Sequence, residues 1–300
     1  MLGITGRRIL LSIHLLLNSL LVGGIITIFY LIQTSGATSR GDELYGTQRM
    51  IFMIHDMLVM NAGLGVVITG LLFSLFTRWG FFDFPWVIVK WSGIIIIFLG
   101  ITFFLAPAIN GMAAIADVER SHGAAHASYG RYESQAITTI LLLIPVLITL
   151  VVVSVFKPWG QRKRPFRVRR RTVLLAGILL GCAVVGSTVF QFLTLQHYRS
   201  IPIGEVDLSK LADGVYTGEA TLAYNQSVAV HVTNHHIDRI DILRNDNSVY
   251  AKLAEGVTWK VLKAQSPAVS GVTGATTSSV SLLKAIENAL SNEEKTTRPY

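Results

Sequence analysis

One cysteine in 300 residues leaves Cys182 without a partner in its own chain. No intrachain disulfide, no cysteine-ligated iron–sulfur site and no CxxCH haem attachment can be built from it. Set in an apolar run, it reads as a small helix-packing residue. No GxGxxG follows a strand-like segment, so the Rossmann fingerprint for taking hydride from NAD(P)H is missing. Charge is also scarce. Only 15% of residues are charged against 51% hydrophobic, and the mean hydropathy is +0.51. Those values exclude an ordinary soluble protein and make hydropathy the first thing to read.

The formal net charge of +8 is unevenly spread. Residues 1–204 hold 17 Lys/Arg against 7 Asp/Glu, whereas residues 205–300 hold 9 against 11. The basic excess belongs to the apolar part, where it reports topology and not a nucleic-acid partner.

A bilayer core of about 30 Å requires roughly 20 apolar residues in a helix. Five stretches meet that need, at about 9–34, 50–77, 85–110, 135–156 and 172–195. The first follows Arg7 and Arg8 and exceeds the roughly 7–15 residues of a signal-peptide core, so it reads as a retained span. Between the fourth and fifth spans lie Lys157, Arg162, Lys163, Arg164, Arg167, Arg169, Arg170 and Arg171, with no acid among them. Such a loop belongs in the cytoplasm. Five spans then place the N-terminus inside and the C-terminus outside. The loops expected outside, about 35–49 and 111–134, offset their cations with Asp42, Glu43, Asp117, Glu119 and Glu133.

Polar side chains within spans are costly and therefore informative. His14 and Asn18 lie one turn apart in the first span, and His55, Asp56 and Asn61 lie in the second. Paired helical histidines can hold haem b, but His14 and His55 fall at different depths. His122 and His126 share a face if their segment is helical. With His55 they would form a haem or metal site near the outer surface. The alternative is that all three are hydrogen-bonded or solvated.

Residues 1–196 thus form the membrane part, 197–211 a tether, 212–292 a second domain and 293–300 a tail. In the second domain Tyr216, Gly218 and Ala220 mark one strand. Val228, Val230 and Val232 alternate through another, and Ile237, Ile240 and Ile242 suggest a third. Residues 248–264 read as a helix. A second helix, from about Ser278 to Leu290, buries Leu282, Leu283, Ile286, Ala289 and Leu290. The expected fold is a membrane all-α helical bundle of about five transmembrane helices followed by a small α+β domain. His231, His235 and His236 read as solvated strand and turn residues.

The chemistry is concentrated in Ser270-Gly271-Val272-Thr273-Gly274-Ala275-Thr276-Thr277-Ser278-Ser279. Glycines permit a tight turn, and small hydroxyl residues then lead into a helix start. Free N–H groups and the helix dipole favour phosphate there. The same residues also make an ordinary N-cap.

Asp213-Gly214-Val215-Tyr216-Thr217-Gly218-Glu219-Ala220, Ala264-Gln265-Ser266, and Val272-Thr273-Gly274-Ala275-Thr276 with Ser278 together resemble the FMN-binding domain. That family includes flavin-bearing components of the sodium-translocating NADH:quinone reductase and of the Rnf complex, and many extracytoplasmic bacterial flavoproteins. The resemblance spans about residues 210–292. It implies that a flavin transferase joins FMN through its phosphate to Thr276, with Thr273, Gly274, Ala275, Thr277 and Ser278 around it. It also implies a bacterial protein whose transferase acts outside the cytoplasm, in agreement with the multi-pass topology and extracytoplasmic C-terminal domain that the spans and the cation-rich loop give. The chain departs from the family at Ser270, where an aspartate is usual, and carries Ala268 at a position that is sometimes acidic. Glu255 and Trp259, on the preceding helix, lie where they can approach the flavin ring.

The function expected is electron transfer through FMN at the extracytoplasmic face, as an oxidoreductase or electron-transfer component. Its partners would be the lipid bilayer, the transferase and a membrane or extracytoplasmic redox protein. A transporter or redox sensor with a regulatory flavin domain, or an assembly module without flavin, are the alternatives. Ion pumping does not carry over, because the resemblance stops at the flavin domain.

Overall fold

A computed structural model describes residues 3–35, 41–77, 79–122, 129–161, 200–222 and 224–291, together with 175, 186, 189–190, 193–194 and 196–198. Most of the proposed fifth span, Cys182, most of the cation-rich loop and the 293–300 tail lie outside the described residues.

Four long apolar helices make this a membrane protein. Helix α1 is Ile4–Ser35. Helix α2 joins Asp42–Met53, a π turn Ile54–Val59 and Met60–Phe76. Helix α3 joins Pro85–Gly100, a π turn Ile101–Leu105 and Ala106–His122. Helix α4 is Tyr129–Phe156, with Pro145 inside it. At 1.5 Å per residue, even the 28 residues of α4 extend about 42 Å, beyond the ~30 Å of hydrocarbon. Large apolar side chains such as Leu16, Ile26, Ile95, Phe103, Leu142 and Val155 remain exposed. Lipid is the solvent that makes such a surface stable.

Two loops of the sequence reading become helix. Residues 42–49 open α2, and residues 111–122 continue α3 without a break. The stretch Gly111-Met112-Ala113-Ala114-Ile115-Ala116 contains no proline and is rich in alanine, so nothing ends the helix where the bilayer does.

Residues 1–37, 50–108 and 132–190 form one unit and residues 38–49, 109–131 and 191–300 the other. In the first, small residues bring helices together, as expected where lipid removes the hydrophobic drive. A Cβ on Gly24 would stand 2.7 Å from the Val59 side chain, one on Gly65 2.8 Å from Leu17, and one on Gly93 2.6 Å from Leu150. His14 is buried and satisfied. Its Nδ1 lies 2.6 Å from Thr69 Oγ1. That hydroxyl also donates to Gly65 O at 2.7 Å, so Nδ1 is the donor to it. Trp79 meets Trp86 edge-on and lies under Arg7 and Lys157, 5.2 and 5.7 Å from its ring centre. This grouping suits an interfacial aromatic belt.

In the second unit, β1 (Gly214–Thr221), β2 (Asn225–Thr233) and β3 (His236–Arg244) form an antiparallel sheet in that order. The strands fall where alternation placed them. Asn234 and His235 take φ of 50° and 61° in the two-residue turn from β2 to β3, as a type I′ hairpin requires. Asp213 Oδ1 accepts from Asn234 N at 2.8 Å and Tyr216 Oη donates to Ala212 O at 2.6 Å. His231 on β2 keeps a side chain 29% exposed, with its Nε2 2.9 Å from Asp241 Oδ2.

The single helix expected over 248–264 is two, α5 (Val249–Ala254) and α6 (Val257–Ala264), parted at Glu255-Gly256. From the stretch expected to be a tether, Ile203, Val206 and Leu208 pack on the domain's core. Helix α7 (Thr276–Ser291) covers the sheet through Leu282, Leu283, Ile286 and Leu290. Gly218 of β1 touches the backbone of α7, since a Cβ there would collide with Ala285 O and Ala289 N. Gly218→Val should therefore destabilise this unit by about 3 kcal/mol or more. Limited proteolysis of detergent-solubilised protein would show it as cleavage within 212–291 while α1–α4 remain protected.

Candidate functional site

The candidate site is the turn leading into α7. Its first anchor is local. Val272 N donates to Ser279 Oγ at 3.0 Å, Ser279 Oγ donates to Ala275 O at 2.9 Å, and Ala275 N donates to Val272 O at 3.0 Å. Ser279 is fully buried, so it links the turn to the helix that follows. Gly274 has φ +82°, a conformation that side chains rarely adopt. A Cβ at Gly274 would also stand 2.7 Å from the carbonyl oxygen of Asn110. Both facts require glycine there.

The second anchor comes from the end of α3, within the same unit. Asn110, Ala114, Asp117 and Val118 follow helical spacing and share one face. Asn110 Nδ2 donates to Tyr250 Oη at 3.2 Å, and Ala114 joins the core beneath the sheet. Val118 lies against Gly256, where a Cβ would collide with the Val118 side chain. Asp117 Oδ2 accepts from Thr273 N at 2.8 Å, Thr273 Oγ1 at 3.0 Å and Lys260 Nζ at 2.9 Å. Lys260 Nζ also donates to Gly271 O at 3.2 Å. The Lys260 and Asp117 side chains are only 10% and 9% exposed. A buried ion pair tolerates the loss of neither partner, at a cost of about 3–5 kcal/mol.

The structure thus gathers the residues singled out in the sequence. Thr273, Gly274 and Ala275 form the turn, and Thr276 and Thr277 are the first residues of α7, both half-buried. Ser278 is buried. Ser270 is exposed, and the acid that contacts the turn is Asp117.

No family model, curated protein or solved structure matches this chain. The site is therefore read from its own geometry. Gln265, at a left-handed position after α6, clamps β3 by accepting from Ile237 N at 2.7 Å and donating to Ile237 O at 3.1 Å. Glu255 Oε1 accepts from Asn245 Nδ2 at 2.8 Å, while Trp259 on α6 is 44% exposed. His55 sits in the π turn of α2, buried, with an Nε2 that no described residue hydrogen-bonds. His122 ends α3 with its side chain outside the described residues, and His126 lies outside them altogether. Among the described residues, no group of three or more His, Cys, Asp or Glu is placed to hold a metal ion.

Sequence reasoning assigned no anchoring role to Asp117, Lys260 or Ser279. The unbroken helix-forming run after Gly111 is a signal for the α3 extension, but nothing in the sequence pairs position 117 with position 273. Ser279→Ala should leave the buried Val272 N–H unpaired and cost about 1–3 kcal/mol. Thermal unfolding of the purified protein, followed through protection of the C-terminal unit, measures that loss.

Proposed function

We propose that the chain is a membrane-anchored flavoprotein that carries FMN on Thr276 and transfers electrons at the extracytoplasmic face of a bacterial cell membrane. One observation carries this reading. Thr276 opens a 16-residue helix directly after a doubly anchored turn, with part of its surface accessible. A phosphodiester on Thr276 Oγ1 would meet the first-turn N–H groups of α7 and the positive end of its dipole. Thr276, Thr277 and Ser278 supply those groups. The residues present therefore suit a phosphate-linked group. The family resemblance in 213–220, 264–266 and 272–278 supports the same reading. The cation-rich sequence between 157 and 171 supports the assigned sidedness.

Bound FMN would supply one- and two-electron chemistry, while the protein would provide attachment and orientation. Making a phosphodiester from an alcohol requires an activated donor, which a flavin dinucleotide, an anhydride of FMN, would be. Attachment would form the Thr276 Oγ1–P bond as the anhydride P–O bond breaks, releasing the nucleoside monophosphate and passing the hydroxyl proton to a base on the transferase. Electrons would arrive from a membrane quinone, a haem or another membrane protein. His55 keeps a buried Nε2 that no described residue hydrogen-bonds. A visible spectrum of the reduced protein separates these sources. A Soret band assigns haem, and its absence leaves a quinone or a partner protein.

Coexpressed with a matching transferase, the wild-type chain should give a flavin-fluorescent band on a denaturing gel. Thr276→Ala should abolish that band and Thr277→Ala should retain it. A dark wild-type band would defeat the covalent reading and favour an assembly module or flavin held without a bond.

A further inference from the structure

We infer that Asp117, near the end of α3, is the positioning residue of the acceptor turn, so that loading of Thr276 depends on α3 being docked against that turn. The loading half of this inference rests on the function proposed above. The positioning half rests on geometry alone. A single carboxylate oxygen holds both the backbone N–H and the hydroxyl of Thr273, three residues before Thr276. The same oxygen holds the Lys260 ammonium, which in turn fixes Gly271 O. The turn is thus held at 271 and at 273 by one ion pair whose acid lies 156 residues from Thr273 in the chain. Asn110, two helical turns before Asp117, closes the remaining side against Gly274.

An anion is required for three reasons. Three donors converge on one oxygen, the group is buried, and the ammonium beside it would otherwise be an uncompensated charge. An amide at position 117 would accept from Thr273 but could not neutralise Lys260. Asp117 therefore acts on Thr276 through Thr273 and not by touching it.

The test uses the full-length protein in detergent or nanodiscs. Two readouts are taken: the rate of flavin transfer from a flavin dinucleotide by purified transferase, and hydrogen exchange of the 271–276 amides. Asp117→Asn should slow transfer about tenfold through kcat with little change in KM for the acceptor protein. It should speed exchange at Thr273 by at least about tenfold while β1–β3 stay protected. Asp117→Glu, which keeps the charge, should recover most of the transfer rate. Asp42→Asn, which breaks the exposed pair with Arg120 in the same unit, should leave both readouts at wild-type values. Thr273→Val keeps the backbone N–H and removes only the hydroxyl bond, so it should give a smaller loss with the domain intact. It is the decisive variant if Asp117→Asn unfolds the unit. Wild-type transfer and exchange in both Asp117→Asn and Thr273→Val would overturn the inference. A wild-type protein that never loads would refute the flavin reading, and the exchange data would still decide whether Asp117 positions the turn.

Discussion

One oxygen atom, Oδ2 of Asp117, carries the constraint on which the C-terminal unit's candidate site depends. Three donors meet there in a nearly dry setting, two from Thr273 and one from Lys260. Water would compete for each of these bonds at a surface. Burial removes that competition and makes each group dependent on the others. The turn before α7 therefore takes its conformation from two sources, Ser279 on its own helix and Asp117 on a helix that begins at Pro85.

The rest of that unit is arranged so that α3 and α7 can both come close. Glycine stands at three close contacts between elements. Gly218 admits α7 to the sheet, Gly256 admits Val118, and Gly274 admits Asn110 while taking a positive φ. The membrane unit follows the same rule with different partners, since Gly24, Gly65 and Gly93 each receive a side chain from a facing helix. Close approach replaces hydrophobic drive in lipid, whereas in the C-terminal unit it accompanies a conventional apolar core.

Much of this is legible in the sequence because it depends on local pattern. Long apolar runs mark the four described helices, period-two alternation marks the first two strands, and Ile237, Ile240 and Ile242 fall in the third. The small-residue turn before α7 is legible for the same reason. Its glycines and hydroxyls are consecutive, and their effect on the backbone is local. The misreadings also have physical causes. Residues 111–122 read as a loop when the thickness of a bilayer is used to end a helix that chemistry does not end. Residues 248–264 read as one helix because the apolar spacing runs on across Glu255-Gly256, where the structure parts them into two short helices.

By itself the sequence determined that this is a multi-helix membrane protein with a small α+β unit after the helices, and that a turn of small and hydroxyl residues at Thr273–Ser278 leads into its last helix. Hydropathy and periodicity are summed along the chain, so no partner need be known to read them. Only the tertiary structure decided that the acid beside this turn is Asp117 while Ser270 stays exposed, and that Lys260 completes the pair. Those contacts join residues 143 and 156 positions apart. Their existence depends on how α3 meets the turn, which no local pattern of residues encodes.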